Sequence, residues 1–142
     1  MIEVRPVKNK KELQQLFFIR KEVFVNEQKV DPSVEFDGLD DKAEHIAALL
    51  DNNIVGCARV RYMDNKAKLE RIALLKEYRG NGFGGKILKF LISYCRDKGV
   101  TEIYLHSQIA VKGFYRHFGF IEKGEPFLEA GIPHIEMYMK LK

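Results

Sequence analysis

Four glycines in six residues, Gly80, Gly82, Gly84 and Gly85, follow an apolar run of strand length, Ile72-Ala73-Leu74-Leu75. A charged elbow, Lys76-Glu77-Tyr78-Arg79, joins the two. Directly behind the glycines come Ile87, Leu88, Phe90, Leu91, Ile92 and Tyr94, apolar residues at helical spacing. Strand, glycine turn and helix in this order aim free backbone N–H groups and the positive end of a helix at one point. An anion belongs there, most often a phosphate.

Three glycine patterns overlap in this stretch. Gly80, Gly85 and Lys86 have P-loop spacing, but Ile87 stands where a magnesium-holding hydroxyl is needed. Gly80, Gly82 and Gly85 fit the dinucleotide fingerprint, which wants its first glycine at the strand end and an acid about 20 residues later. Here an elbow intervenes, and the next strand ends in Leu105-His106-Ser107. A turn without a ligand is the plain alternative, although left-handed backbone alone rarely asks for four glycines. The third pattern, Arg79-x-x-Gly82-x-Gly84, resembles the pyrophosphate-binding signature Q/R-x-x-G-x-G/A of the GNAT N-acetyltransferase superfamily.

The elements that must carry this stretch are legible in turn. The 142 residues suffice for one domain, 1–142, with 46% hydrophobic and 31% charged residues, the balance of a soluble globular protein. A net charge of +4, spread along the chain, allows an anionic cofactor and does not argue for nucleic acid. The N-terminus lacks a signal-type apolar region and no run reaches membrane-spanning length, so a cytoplasmic protein is expected. Cys57 and Cys95 lie in strand-like and helix-like segments and read as buried thiols; no metal spacing is present.

Ile2 to Val7 alternates as a strand. Asn9 is suited to cap a helix from about Lys11, its apolar stripe formed by Leu13, Leu16, Phe17, Ile19 or Arg20, Val23 and Phe24. An acidic segment with Glu35, Asp37, Asp40, Asp41 and Glu44 follows, read as a long loop or a short irregular helix. His45–Leu50 and Ile54–Met63 form a hairpin across Asp51-Asn52-Asn53, and Asp64-Asn65 turns the chain into the central strand. The helix from about Gly82 stops at Lys98-Gly99. A parallel strand 102–106, a short helix from Ile109 to Phe118, a strand starting at Phe120 and a last strand Ile135–Met139 complete one α+β domain with a mixed sheet.

This order matches the topology of the GNAT fold, and a second motif agrees with it. Gln108-x-x-Val111-x-x-Phe114-Tyr115-x-x-x-Gly119-Phe120 resembles the family's N-x-x-A-x-x-(L/F)-Y-x-x-x-G-F, departing at Gln108 and Val111. VFVNEQ, FDGLD and AGIPHIEM are similar to small single-domain bacterial members, the ElaA-like proteins. The resemblance implies a mostly antiparallel sheet of about six to seven strands flanked by helices, with one parallel pair splayed apart. It implies an acetyl-CoA-dependent N-acetyltransferase acting by direct transfer to a primary amine in a ternary complex, as a monomer or homodimer. A non-catalytic acyl-CoA-binding or sensing module is the alternative.

Carried over residue by residue, the resemblance gives the cofactor Arg79, Gly80, Asn81, Gly82, Phe83, Gly84 and Gly85 at its pyrophosphate. Ile72, Ala73 and Leu74 fall along its pantetheine arm, with the Ile72 N–H polarising the thioester carbonyl. Gln108 opens the second motif beside it. Tyr115 takes the place of the general acid, although a tyrosine beside Phe114 also reads as core. For the base, Glu70 and His106 are candidates beside a water relay, and each has a structural reading: Glu70 paired with Arg59, Arg61 or Arg71, His106 capping a strand end. The acidic loop and His134 are candidates for acceptor binding. On that reading the acceptor is a small cationic amine drawn by Asp37 and Asp40, although a solvated loop would have the same composition.

Overall fold

A computed structural model describes all residues, 1–142. Seven strands form one sheet in the order β1-β2-β3-β4-β5-β7-β6. β1 (Ile2–Pro6), β2 (Glu44–Leu50), β3 (Asn53–Met63) and β4 (Lys66–Leu74) are an antiparallel half. β5 (Glu102–Gln108), β7 (Ile132–Lys140) and β6 (Ile121–Glu129) form a second antiparallel half. The halves meet where β4 and β5 run parallel, through only three residue pairs: Lys66–Glu102, Ala67–Ile103 and Lys68–Tyr104. Beyond Lys68 and Tyr104 the two strands part.

Alternation assigns the faces. The larger core sets Ala67, Leu69, Ile103, Leu105 and Met137 against Ile87, Leu88, Leu91 and Cys95 of α3 (Phe83–Asp97). The opposite face of β2–β4 packs Ala47, Leu49, Cys57 and Ala73 on Leu16, Ile19 and Val23. Leu16 and Ile19 belong to α1 (Lys10–Arg20), capped by Asn9 as its sequence requires. The expected single helix changes character after Arg20, where Lys21–Glu27 winds as a π-helix. The wider turn carries Val23, Phe24 and Gln28 to the gap between the halves.

The acidic segment is more ordered than its composition suggests. Asp31 caps a short α2 (Pro32–Glu35), and a 3₁₀ turn covers Asp40–Lys42. The second short helix is likewise divided, into a 3₁₀ turn at Ile109–Val111 and α4 (Lys112–His117). The last two strands run longer than their alternation indicated. They form a hairpin closed at Ala130 and Gly131, whose φ angles are 53° and 76°. No helix is long and apolar enough to cross a membrane.

Candidate active site

The parting of β4 and β5 opens a cleft of about 720 Å³ whose lining includes residues from both strands. At one end stands the N-terminus of α3. Gly82 occupies the cap position in left-handed backbone, φ 78°, and no side chain caps the helix. The first bond along it runs from the Lys86 N–H to the Gly82 carbonyl at 3.4 Å, which leaves the N–H groups of Phe83, Gly84 and Gly85 ahead of the ladder. No acid sits in the first turn. The result is an uncompensated positive pole over fifteen residues of helix, at the mouth of a groove.

The four glycines divide by cause. Gly80 (φ 84°) and Gly82 need the left-handed region, and a Cβ on either would meet open space. A Cβ on Gly84 would touch the Phe114 ring at 3.6 Å, and one on Gly85 would crowd Phe118 at 3.0 Å. The absence of a side chain at Gly85 therefore serves the packing of α3 on the Phe118 ring, while its N–H stays ahead of the helical ladder. Arg79 also differs from expectation. Its N–H is taken by the Lys76 carbonyl, and its guanidinium grips Glu27 at 2.9 Å and the Leu74 carbonyl at 3.0 Å. Across the cleft, Gln108 Nε2 donates to Gln28 Oε1 at 2.9 Å. The two contacts tie the end of the π-helix to both walls. Asn81 stays in the turn, reaching the Arg79 carbonyl at 3.5 Å.

The wall formed by β4 is bent. β3 advances two residues from Cys57 to Arg59 while β4 covers three, from Ala73 back to Glu70, so β4 carries a bulge. Arg71 in the bulge has φ 56°, and neither Arg71 nor Ile72 has a paired residue on a neighbouring strand. Ile72, Ala73 and Leu74 all line the cleft. Cys57 Sγ donates to the Arg71 carbonyl at 3.3 Å. Burial pushes the Cys57 thiol up to about 12 and that of Cys95 up to about 11, so neither is a thiolate nucleophile at neutral pH.

Tyr115 lies in the same cleft, edge-on to Phe114 and Phe120. Burial raises its phenol to about 12, which keeps the proton on the oxygen at neutral pH.

Below the bulge lies a network that the sequence left in pieces. Arg59, fully buried, binds Asp37 through two nitrogens at 2.9 Å, Asp40 at 3.0 Å and Glu70 at 3.2 Å. Arg20, also buried, holds Glu35 at 2.9 Å and Asp40 at 2.8 Å. Arg71 Nε lies 2.8 Å from Glu35 Oε2 without hydrogen-bond geometry, and its Nη2 reaches Asp37 at 3.3 Å. Burial disfavours the charge on Arg59, but its partners, Asp37 foremost, outweigh that and strengthen it. The Arg59 hydrogen bond holds Asp37 well below the usual carboxylate range. The acidic loop is thus an ion-paired clamp, which corrects its reading as free charge for a cationic acceptor.

Glu70 belongs to that clamp. Arg59, Arg61 and Lys68 stand 3.1, 2.6 and 3.4 Å from its oxygens. Burial pushes it up, yet Arg61 and the other cations more than offset this and lower it. Such a carboxylate holds its charge and takes a proton poorly, which corrects its reading as the base. His106 is not at a strand end either, since β5 continues to Gln108. Its Nδ1 meets Glu129 Oε1 at 2.8 Å, and Nε2 lies 3.6 Å from Glu136. His134, buried, has Nδ1 on the Ile132 carbonyl at 2.6 Å and Nε2 3.8 Å from Glu129. Glu129 itself escaped the sequence reading. It precedes the Ala130-Gly131 turn, and only the finished hairpin brings it beside His106.

A groove between splayed strands, headed by an uncapped helix end and holding a protonated phenol, is a frame for a long anionic ligand with a reactive end. Residues 7–141 match the model of the acetyltransferase (GNAT) domain. The chain belongs to the GNAT acetyltransferase family. It is 40% identical over 131 residues, covering 92% of this chain and 94% of the relative, to the uncharacterized N-acetyltransferase YjcF of Bacillus subtilis. The crystal structure of Escherichia coli ElaA superposes with a TM-score of 0.86 at 29% identity, covering 97% of this chain and 99% of that one. A GNAT acetyltransferase of Elizabethkingia anophelis, solved with acetyl-CoA bound, shares the fold at 22% identity, with a TM-score of 0.76 over 99% of this chain and 98% of that one.

Proposed function

We propose that this chain transfers the acetyl group of acetyl-CoA directly to a primary amine held in the same cleft. One observation carries this reading: the uncapped N-terminus of α3 opens onto a strand gap that also holds Tyr115 and the unpaired bulge of β4. The N–H groups of Phe83, Gly84 and Gly85, with the Gly80–Gly82 turn, suit a pyrophosphate. The open edge Ile72–Leu74 suits an amide-bearing arm laid along it as an added strand. Bound there, acetyl-CoA supplies an acetyl group activated as a thioester. Ile72, in the bulge and without a register partner on either neighbouring strand, is the candidate whose N–H would stabilise negative charge on the thioester oxygen. Tyr115 keeps its proton for the departing sulfur. His106, with Glu129 on Nδ1, is the candidate to receive the amine's proton, directly or through water.

The test is cofactor binding followed by turnover. Wild type should bind acetyl-CoA in calorimetry and release CoA thiol when an acceptable amine is added. Gly82→Asp sets a carboxylate at the helix end in a backbone region that aspartate tolerates. It should weaken binding by about 10²-fold or more with its circular dichroism preserved. A folded variant with wild-type affinity would remove the pyrophosphate assignment.

A further inference from the structure

Resting on the acetyltransferase reading, the charges that line the cleft bear on the acceptor. Four carboxylates line it: Glu35, Asp37, Glu70 and Glu129. The first three are each bound by two or more arginine or lysine side chains. Glu129 has only histidines, His106 at 2.8 Å and His134 at 3.8 Å, and its side chain keeps 40% exposure. It is therefore the one lining carboxylate whose charge an incoming ammonium can take up.

Elsewhere in the lining the excess is the opposite one. Arg61 and Lys68 both lean on the single carboxylate of Glu70, which also serves Arg59. Arg61 uses Nε and Nη2 for that contact, so Nη1 has no partner. Lys68 is the last residue of β4 paired to β5, at the root of the gap. Its partner there is Tyr104, and His106 follows two residues on, on the same face of β5. Lys68 also lies near enough to Glu129 to favour its ionised form.

We infer that the acceptor is a small zwitterionic amine, an amino carboxylate, with its ammonium on Glu129 between His106 and His134 and its carboxylate toward Lys68 and Arg61. A polyamine finds one free carboxylate here and two cations. A simple alkylamine leaves those cations without a ligand.

Steady-state CoA release at saturating acetyl-CoA tests this with a panel of free amino acids, the same compounds as methyl esters, and the polyamines putrescine and spermidine. Free amino acids should exceed their esters and both polyamines in kcat/KM by about 10-fold or more. Glu129→Gln should raise KM for the preferred amino acid by about 10-fold or more. Acetyl-CoA affinity, measured in parallel, reports that the fold is kept. Lys68→Met should bring the ratio of free acid to ester toward one, a change that loss of packing alone would not produce. Esters or polyamines equal to or better than the free acids would overturn the inference and leave acetyl transfer standing. An unmoved KM in Glu129→Gln would do the same. Absence of transfer to every amine, despite tight acetyl-CoA binding, would instead sink the transferase reading on which it rests.

Discussion

Tyr115 shows how one side chain acquires two readings. Its ring packs in an aromatic cluster with Phe114 and Phe120, as a core residue would, while it also lines the cleft. Burial does both jobs, since the environment that packs the ring also holds the phenolic proton. Tyr115→Phe keeps the packing and removes only the O–H. It should lower kcat by about 10²-fold with acetyl-CoA affinity nearly intact. Wild-type turnover in the variant would make Tyr115 a packing residue alone. The same division applies at Glu70, where residue type suggested a base and three neighbouring cations make an anchor. A sequence reports which groups can ionise, and only their neighbours decide which of them retain free chemistry.

Among the elements, the strands, the α3 helix and the glycine turn were legible because each has a local signature in periodicity, caps or left-handed positions. What was not legible depends on partners far apart in the chain. Arg20 sat ambiguously beside Ile19 in an apolar stripe, and both are buried, because Glu35 and Asp40 follow the helix around to meet it. The bulge in β4 has no sequence mark, since Arg71 is not a glycine and occupies φ 56° at a cost of about 1 kcal/mol. Its side chain offsets this by anchoring in the clamp with Glu35 and Asp37. The clamp should therefore be brittle. Arg59→Met leaves Asp37, Asp40 and Glu70 short of a shared cation, and it should cost about 3–5 kcal/mol in urea unfolding. A loss below about 1 kcal/mol would mean that water compensates these carboxylates.

For the whole molecule, the clamp ties stability to pH. Asp37, Asp40 and Glu70 all ionise more readily folded than unfolded, and the Arg5 hydrogen bond holds Glu12 down to about 2. Groups lowered on folding contribute stability above the ordinary carboxylate range and lose it as pH falls through their folded values. Glu35 runs the other way: burial raises it, and acidification first relieves that cost. The melting temperature should hold level or rise slightly from pH 7 to about 5, then fall steeply below about pH 4. A melting temperature flat to pH 2.5 would contradict the ionic account.

The three-pair junction between β4 and β5 has another consequence, for solubility. A strand whose amides and carbonyls face a gap is an edge, and an edge is a template for another chain to add to. Unlike β1 and β6 at the margins, this edge lies in the middle of the sheet, where no further strand of the chain covers it. The bulge at Arg71 and Ile72 breaks its register, the charges of Lys68, Glu70 and Arg71 flank it, and the opposite wall limits access. The same distortion that bends this wall of the cleft thus denies a flat ladder to a second copy, keeping an open strand from seeding aggregation.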